Sequence, residues 1–324
     1  MSGSDAWQPT ASRAALEERA RQLAWVRDFF ACRNVLEVET PVLGRRSVTD
    51  PNMDSIPVCP ASAGAGVPGG WLQTSPEYPM KRLLAAGVGD IYQVARVFRD
   101  GERGARHNPE FSLLEWYRLG FNDSQLMAEV SDLVCGWLGC PEPVTLSYRE
   151  AVQRFASVDP FKASDAELRQ RCRDWMPSDQ RSGLLRDECL DLLMSHQVEP
   201  GLAQVGPVFV TGYPESQAAL ARISTLNGIR QAHRFELYVD GLELCNGYWE
   251  LTDASEQEAR FEADNRARQQ AGRPQMPVDE ALLAALEAGF PDCSGVALGL
   301  DRLLMLKLGA RDITKVLSFP SERA

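Results

Sequence analysis

Residues 90–118, DIYQVARVFRDGERGARHNPEFSLLEWYR, bring an arginine, a phenylalanine and a glutamate together at spacings that let them share a ligand. Arg99 can fork onto an α-phosphate, Phe111 can stack on a flat base, and Glu115 can hold an ammonium group. For that they need a common floor. Side chains alternate along a strand, so Ile91, Gln93, Ala95, Val97 and Arg99 fall on one face of a first strand. Phe111, Leu113, Glu115 and Tyr117 fall on one face of a second. The loop between them, residues 100–110, carries Glu102, Arg103, Arg106 and His107 and is too polar for a core. Such a hairpin suits a nucleoside triphosphate whose charge the loop covers. A half-exposed hairpin with a solvated loop would show the same alternation, so the reading depends on what else the chain supplies.

A second stretch, HRFELYVDGLELCNGYWELTD, is dense in carboxylates: Glu236, Glu243, Glu250 and Asp253. It reads as two antiparallel strands turning at Asp240 and Gly241, a favoured hairpin pair. Strict alternation puts Asn246, Tyr248 and Glu250 on one face and Glu243 on the other. Gathering them into one site requires a bulge or sharp twist, expected at residues 245–247. Interleaving with Leu242, Leu244 and Trp249 distinguishes the stretch from a solvated acidic edge. Glu236 and Glu243, seven residues apart, could hold Mg²⁺ against triphosphate oxygens. A third stretch, SGVALGLDRLLMLKLG, predicts a strand with Gly295 and Gly299 running into a helix whose first turn holds Asp301 and Arg302. Glycine admits close backbone approach, and an arginine there adds to the helix N–H groups in holding an anion.

The elements that must position these groups follow from periodicity. Leu16, Ala20, Leu23, Val26 and Phe30 recur at helical spacing and predict a helix over residues 12–33. A strand over residues 34–43 follows, stopped by Pro41; helix and strand together could pack against their copy in a homodimer or be a plain helix and edge strand. Residues 44–70 read as loop, most flexible in SAGAGVPGG. Next come a short strand, a turn at Ser75, Pro76 and Glu77, and a helix carrying Lys81 and Arg82. Glu77 complements the dipole of that helix whatever else it does. Residues 123–205 read as a mainly helical insertion punctuated by Pro160 and Pro177. A strand over PVFVTGYP precedes the acidic hairpin, and a helix starts at Asp279 and stops at Gly289. The fold class expected is α+β, as one catalytic domain over residues 1–324 with that insertion.

Composition narrows the partners. Lys and Arg number 34 against 45 Asp and Glu, and the net charge of -11 argues against a nucleic acid backbone as the main partner, although a local basic patch is compatible with it. No run approaches the ~18 apolar residues of a membrane span, and no secretory signal pattern opens the chain, so a cytoplasmic protein is expected. The eight cysteines include no Cys-x-x-Cys pair and there are three histidines, which argues against a zinc site or a disulfide framework.

Phe98 and Arg99 with the loop to His107, Asn108, Pro109, Glu110 and Phe111, then Glu115, Pro41 upstream, and Gly295, Gly299 and Arg302 downstream, resemble motifs 1, 2 and 3 of the class II aminoacyl-tRNA synthetases. More narrowly, RHNPEF, ELCNGYWELTD and GVALGLDRLLML resemble the catalytic domain of lysyl-tRNA synthetase, from about residue 12 to residue 320. The sequence enters motif 1 without an anticodon-reading β-barrel. It is therefore closer to the truncated paralogues that ligate (R)-β-lysine to a lysine of translation elongation factor P.

That resemblance implies an antiparallel sheet flanked by helices, ATP and Mg²⁺ as cofactors, elongation factor P as protein acceptor, β-lysine or lysine as substrate, and a homodimer without tRNA or membrane. It also implies roles. Arg99 and Arg302 would be the catalytic arginines on the phosphates. Asp100, Gly101, His107, Asn108, Phe111, Glu243, Leu244 and Gly299 would complete the ATP site, and Glu236 and Glu243 would hold the metal. Ser75, Pro76, Glu77, Glu115, Tyr117, Asn246, Glu250 and Ala297 would make the amino-acid pocket. Gly101 departs from the pattern, which has an acidic residue there; either the next residue, Glu102, shifts in to contact the adenine side or that contact is lost. Ser75 and Ala297 stand where the synthetases tend to have alanine and glycine. A lysine-activating or tRNA-charging enzyme and a non-catalytic paralogue are the alternatives.

Overall fold

The structure, a computed structural model, describes residues 7–59, 69–175 and 183–324. Most of the Gly- and Ala-rich stretch, and Pro177, lie outside these. The chain divides into two compact units. The first comprises Met1–Phe121, Gly136–Leu138 and Thr252–Ala324, the second Asn122–Cys135 and Gly139–Leu251.

In the first unit, helix α1 (Arg13–Ala31) starts where Ser12 accepts a hydrogen bond from the backbone N–H of Ala15, an N-cap. Of the expected stripe it buries Val26 and Phe30, with Phe29 beside them, while Leu16 and Ala20 are exposed; the Phe30 ring stacks on Tyr92 at 4.3 Å. The strand expected over residues 34–43 shrinks to β1 (Leu36–Glu37) and β2 (Leu43–Gly44). Pro41 has no N–H to give to a ladder, so pairing cannot run through it. Strands β3 (Pro57–Val58) and β4 (Gly70–Leu72) join β2 in a small sheet ordered β2-β4-β3. Helix α2 (Glu77–Ala85) leads into β5 (Ile91–Phe98) and β6 (Glu110–Leu119).

The period of two in β5 and β6 survives as register. Ile91 lies opposite Tyr117, Gln93 opposite Glu115, Ala95 opposite Leu113 and Val97 opposite Phe111, so all eight side chains share one face. Arg99 comes just after the last ladder pair, its N–H donating to the carbonyl of Pro109.

Helix α3 (Asp123–Leu138) opens the second unit with a capping box built on Asn122 and Gln125. Then follow β7 (Val144–Ser147), α4 (Tyr148–Ala156), α5 (Asp165–Cys172), α6 (Arg186–Leu193), a π-helical turn at Met194–Val198 and α7 (Glu199–Leu202). The expected helical stretch thus contains one strand. It pairs parallel with β8 (Val208–Pro214), and the apolar faces of the helices close over that sheet through Tyr148, Leu190, Leu193, Val198 and Val210. Strands β9 (Ile223–Leu226), β10 (Ile229–Val239) and β11 (Leu242–Trp249) complete the sheet, ordered β11-β10-β8-β7 with β9 on β10. Asp240 and Gly241 both take positive φ, 52° and 70°, the geometry of a tight hairpin turn between β10 and β11.

The chain returns to the first unit through α8 (Ala254–Gln270), α9 (Glu280–Glu287), β12 (Cys293–Gly299) and α10 (Leu300–Leu308). Strand β12 pairs antiparallel with β6, and the sheet of this unit runs β1-β5-β6-β12, with β1 alone parallel. Each unit is a largely antiparallel sheet flanked by helices, so the fold is α+β as the sequence leads one to expect.

Candidate active site

Midway along β6, Glu115 is 2% exposed and carries the most unusual chemistry of the first unit. Two neutral hydroxyls donate to it: Ser75 Oγ to Oε2 at 2.6 Å and Tyr117 OH to Oε1 at 2.7 Å. Ser75 in turn accepts from the N–H of Glu77, which fixes the turn leading into α2, with Pro76 as its N-cap. Burial, then the nearby Glu77 carboxylate, push the Glu115 pKa from the ordinary 4.5 to about 8; the two hydroxyls and Lys81 oppose them. Glu77 lies 2.7 Å from the ammonium of Lys81, one helical turn on and itself only 2% exposed. Ala297 stands directly opposite Glu115 on β12, as Gln93 does on β5. The result is a buried acid with neutral donors on both oxygens, a second carboxylate and one resident cation. A pocket so built gains by taking in a further ammonium group, because the charged form of Glu115 then acquires a partner.

The hairpin end is arranged for anions. The Arg99 guanidinium lies 5.0 Å from the Phe111 ring and 3.5 Å from Glu102, and its Nε donates to the carbonyl of Thr74. Gly101 has φ +76°, so a β-carbon there would be strained, and the Asp100 carboxylate accepts from the Gly101 N–H. Glu102, the next residue, faces Arg99. Arg302 Nη2 meets His107 Nε2 at 2.7 Å; partial burial and that guanidinium lower the His107 pKa, and the neutral imidazole accepts. Gly299 is the N-cap of α10, and Asp301 behind it is buried against Arg19 and the N–H of Ser112. Asn108 is committed locally: its amide donates to the Glu110 carbonyl and its oxygen accepts from the Ser321 N–H.

In the second unit, β11 bulges. Leu237 pairs with Cys245 but Tyr238 pairs with Glu243, so Leu244 is the extra residue. The bulge turns Glu243 onto the face of Asn246 and Tyr248, opposite Glu236 and Tyr238. The irregularity the sequence demanded is present, one residue before the expected 245–247. On that face Glu236, 5% exposed, accepts from Arg234 on one oxygen and from the phenols of Tyr213 and Tyr238 on the other. Burial alone would lower the Arg234 pKa; Glu236, Tyr248 and Tyr213 instead hold it well above its usual value. Arg234 Nε also donates to Asn246, whose amide donates to Tyr248 OH. Glu250 is 1% exposed and meets Ala221 in an isolated bridge. The resemblance puts a metal ion on Glu236 and Glu243, but with both Glu236 oxygens engaged and its charge met by Arg234 the pair does not fit one in this arrangement. No group of three or more His, Cys, Asp or Glu among the described residues fits one either.

Sequence reasoning passed over Lys81, Arg234 and Tyr213. Lys81 had a signal, its position four residues after Glu77. Arg234 had one too, since it lies two residues before Glu236 on β10 and alternation puts both on one face; Tyr213 had none, because it lies on β8, which the fold brings beside β10. All eight cysteines are free thiols, and no described helix is long and apolar enough to cross a membrane.

A buried carboxylate on the hairpin that ends in an arginine lying over phenylalanine, on an antiparallel sheet that feeds directly into a helix headed by arginine, accords with what comparison finds. The family model described as tRNA synthetases class II (D, K and N) matches residues 5–323, and the chain belongs to that family, with the ATP-dependent ligase chemistry the family implies.

Proposed function

We propose that the chain activates (R)-β-lysine as its adenylate and passes it to a lysine side chain of translation elongation factor P. The observation that carries this reading is the Glu115 pocket. An amino acid with two ammonium groups needs buried negative charge, and Glu115 beside the Glu77–Lys81 pair supplies it where a neutral amino acid would leave Glu115 without a cation. Ser75 and Ala297 edge the same carboxylate and are the residues by which a β-amino group would be told from an α-amino group.

The chemistry uses no covalent enzyme intermediate. The substrate carboxylate attacks the α-phosphorus of ATP in line, an acyl–phosphate bond forms and pyrophosphate leaves. Arg99 and Arg302 hold the phosphate oxygens as charge shifts onto them, and Phe111 stacks on adenine. The lysine amine of the acceptor then attacks the carbonyl of the mixed anhydride, AMP leaves, and an amide forms with loss of the amine proton. Homodimer formation and a cytoplasmic setting belong to the same proposal.

ATP–pyrophosphate exchange, with α-lysine and (R)-β-lysine offered separately, tests it. Exchange strongly favouring β-lysine, and abolished by Arg99→Ala, is the expected result. Preference for α-lysine would return a tRNA-charging activity, and near-normal exchange in Arg99→Ala would undo the assignment of the hairpin.

A further inference from the structure

A cavity of about 520 Å³ in the first unit is lined by Arg45, Arg46 and Arg82 and reaches inward to Ser75 and Glu77. Its walls are largely apolar, Trp71 and Tyr78 among them, and Tyr78 is backed by Phe261. The three arginines are exposed, two from the loop after β2 and one from α2. The carboxylates on the same wall are mostly committed. Asp279 caps α9, accepting from the N–H groups of Ala281 and Leu282, and Glu77 faces Lys81. With Glu77 matched by Lys81, Asp279 and Glu280 stand against three guanidinium groups, so the mouth keeps a positive excess on a chain whose net charge is -11.

We propose that this cavity is the docking site for an acidic segment of the acceptor protein, which enters past the arginines and brings its reactive amine towards Ser75 and Glu77. The inference rests on the proposed function, because those two residues are placed there at the amino acid. Arginine recognises carboxylates by paired N–H donors, and a mouth of three can fix the register of a short acidic stretch while the apolar wall takes its neighbouring side chains. A nucleic acid fits less well. The cavity has room for a few side chains and not for a duplex, and the overall negative charge repels an extended polyanion.

The test separates the two half-reactions on the full chain. Arg45→Gln/Arg46→Gln/Arg82→Gln and the corresponding triple Glu variant are compared with the unmodified chain in pyrophosphate exchange and in transfer of labelled amino acid to elongation factor P. Expected are exchange within about twofold of normal and kcat/KM for the acceptor lower by about tenfold or more, the Glu variant being worse; charged contacts at a docking rim act on encounter and register. In the unmodified chain, transfer should also fall as salt is raised while exchange does not. Normal exchange is itself the evidence that the variants fold. Unchanged transfer in both variants overturns the docking site and leaves the proposed function standing. Loss of exchange together with transfer in the milder Gln variant also overturns it, by making the arginines part of the activation site. Absence of exchange in the unmodified chain overturns the functional reading and this inference with it. Acylation of tRNA that falls in the variants replaces the acidic protein with a nucleic acid.

Discussion

Glu115 and Glu236 invite comparison, since both are glutamates in the interior of a β-strand and both are almost fully buried, at 2% and 5% exposure. Their partners differ in kind. Glu115 receives hydroxyls, which are neutral, and has Glu77 for a charged neighbour; Glu236 receives a guanidinium and two phenols. In the first unit the resident cation, Lys81, faces Glu77, and Glu115 beside that pair resists ionisation. In the second the cation sits on the buried carboxylate itself. A buried carboxylate therefore indicates a binding site by the charge of its partners and not by its burial, and the two units show both outcomes in one chain.

The largest effect should come from breaking the closed pair. Arg234→Met leaves the Glu236 carboxylate buried without its cation, and removal of one member of such a pair costs about 3–5 kcal/mol. Arg234→Met/Glu236→Met removes both charges and should recover a good part of that loss. Urea unfolding of the single and double variants measures it. A loss below about 1 kcal/mol in Arg234→Met would mean that Glu236 is not locked by its arginine, and the contrast with Glu115 would collapse.

Next in size is Glu115→Gln. With the amine partner gone, kcat/KM for activation of the diamino acid should fall by about a hundredfold or more, since a charged hydrogen bond in a buried site is worth roughly 1.5–3 kcal/mol and its charge is lost as well. The fold should respond in the opposite sense. Glu115 has its pKa raised from the ordinary 4.5 to about 8 by burial first and Glu77 second. Below 4.5 the folded and unfolded chains both hold the proton. Between 4.5 and about 8 only the folded chain holds it, so the contribution of this group to stability falls as pH rises through that window and levels off above it. Glu115→Gln should flatten that slope in unfolding curves taken across the window. At about pH 7, amino-acid binding to the unmodified chain should release a proton, visible as a buffer-dependent heat. Binding heats that are the same in every buffer would place Glu115 already ionised in the free protein.

How much of this was written in the sequence depends on the range of the interaction that decides it. The shared face of Gln93, Glu115 and Phe111 was legible because alternation is local and the β5–β6 ladder keeps it in register. The turn at Asp240 and Gly241 was legible for the same reason. The need for a bulge in β11 could be deduced, but its place could not, because Leu244 is the extra residue only by virtue of how β10 pairs with β11. Asp301 read as a first-turn helix residue; its burial against Arg19 depends on a partner 282 positions away. The resemblance pointed at Glu236 as a metal ligand; Arg234, two residues before it on β10, was within reach of alternation, and what the local sequence could not show is that Tyr213, on β8, engages its other oxygen.

The smallest effects should separate the two carboxylates most finely. Ser75→Ala removes one of the two hydroxyls on Glu115, and Tyr213→Phe removes one of the two phenols on Glu236. Tyr213→Phe loses a single hydrogen bond, worth about 0.5–1.5 kcal/mol; Ser75→Ala loses the one to Glu115 and also the one from the Glu77 N–H. At Glu115 the lost donor is one that lowers the pKa, so Ser75→Ala should shift the pH dependence of activation upward and weaken amino-acid use several-fold, besides its cost to the turn into α2. At Glu236 the loss should appear as stability, with the pH dependence of activation unchanged. Ala297→Gly takes a methyl group from directly opposite Glu115, and the ratio of β-lysine to α-lysine exchange should move towards α-lysine, by at most the ten- to two-hundredfold range of a single methylene. A ratio that stays fixed in both Ser75→Ala and Ala297→Gly would move the choice of isomer away from the wall of the Glu115 pocket. A pH profile that shifts in Tyr213→Phe would show that the second carboxylate, for all its partners, still answers to the chemistry.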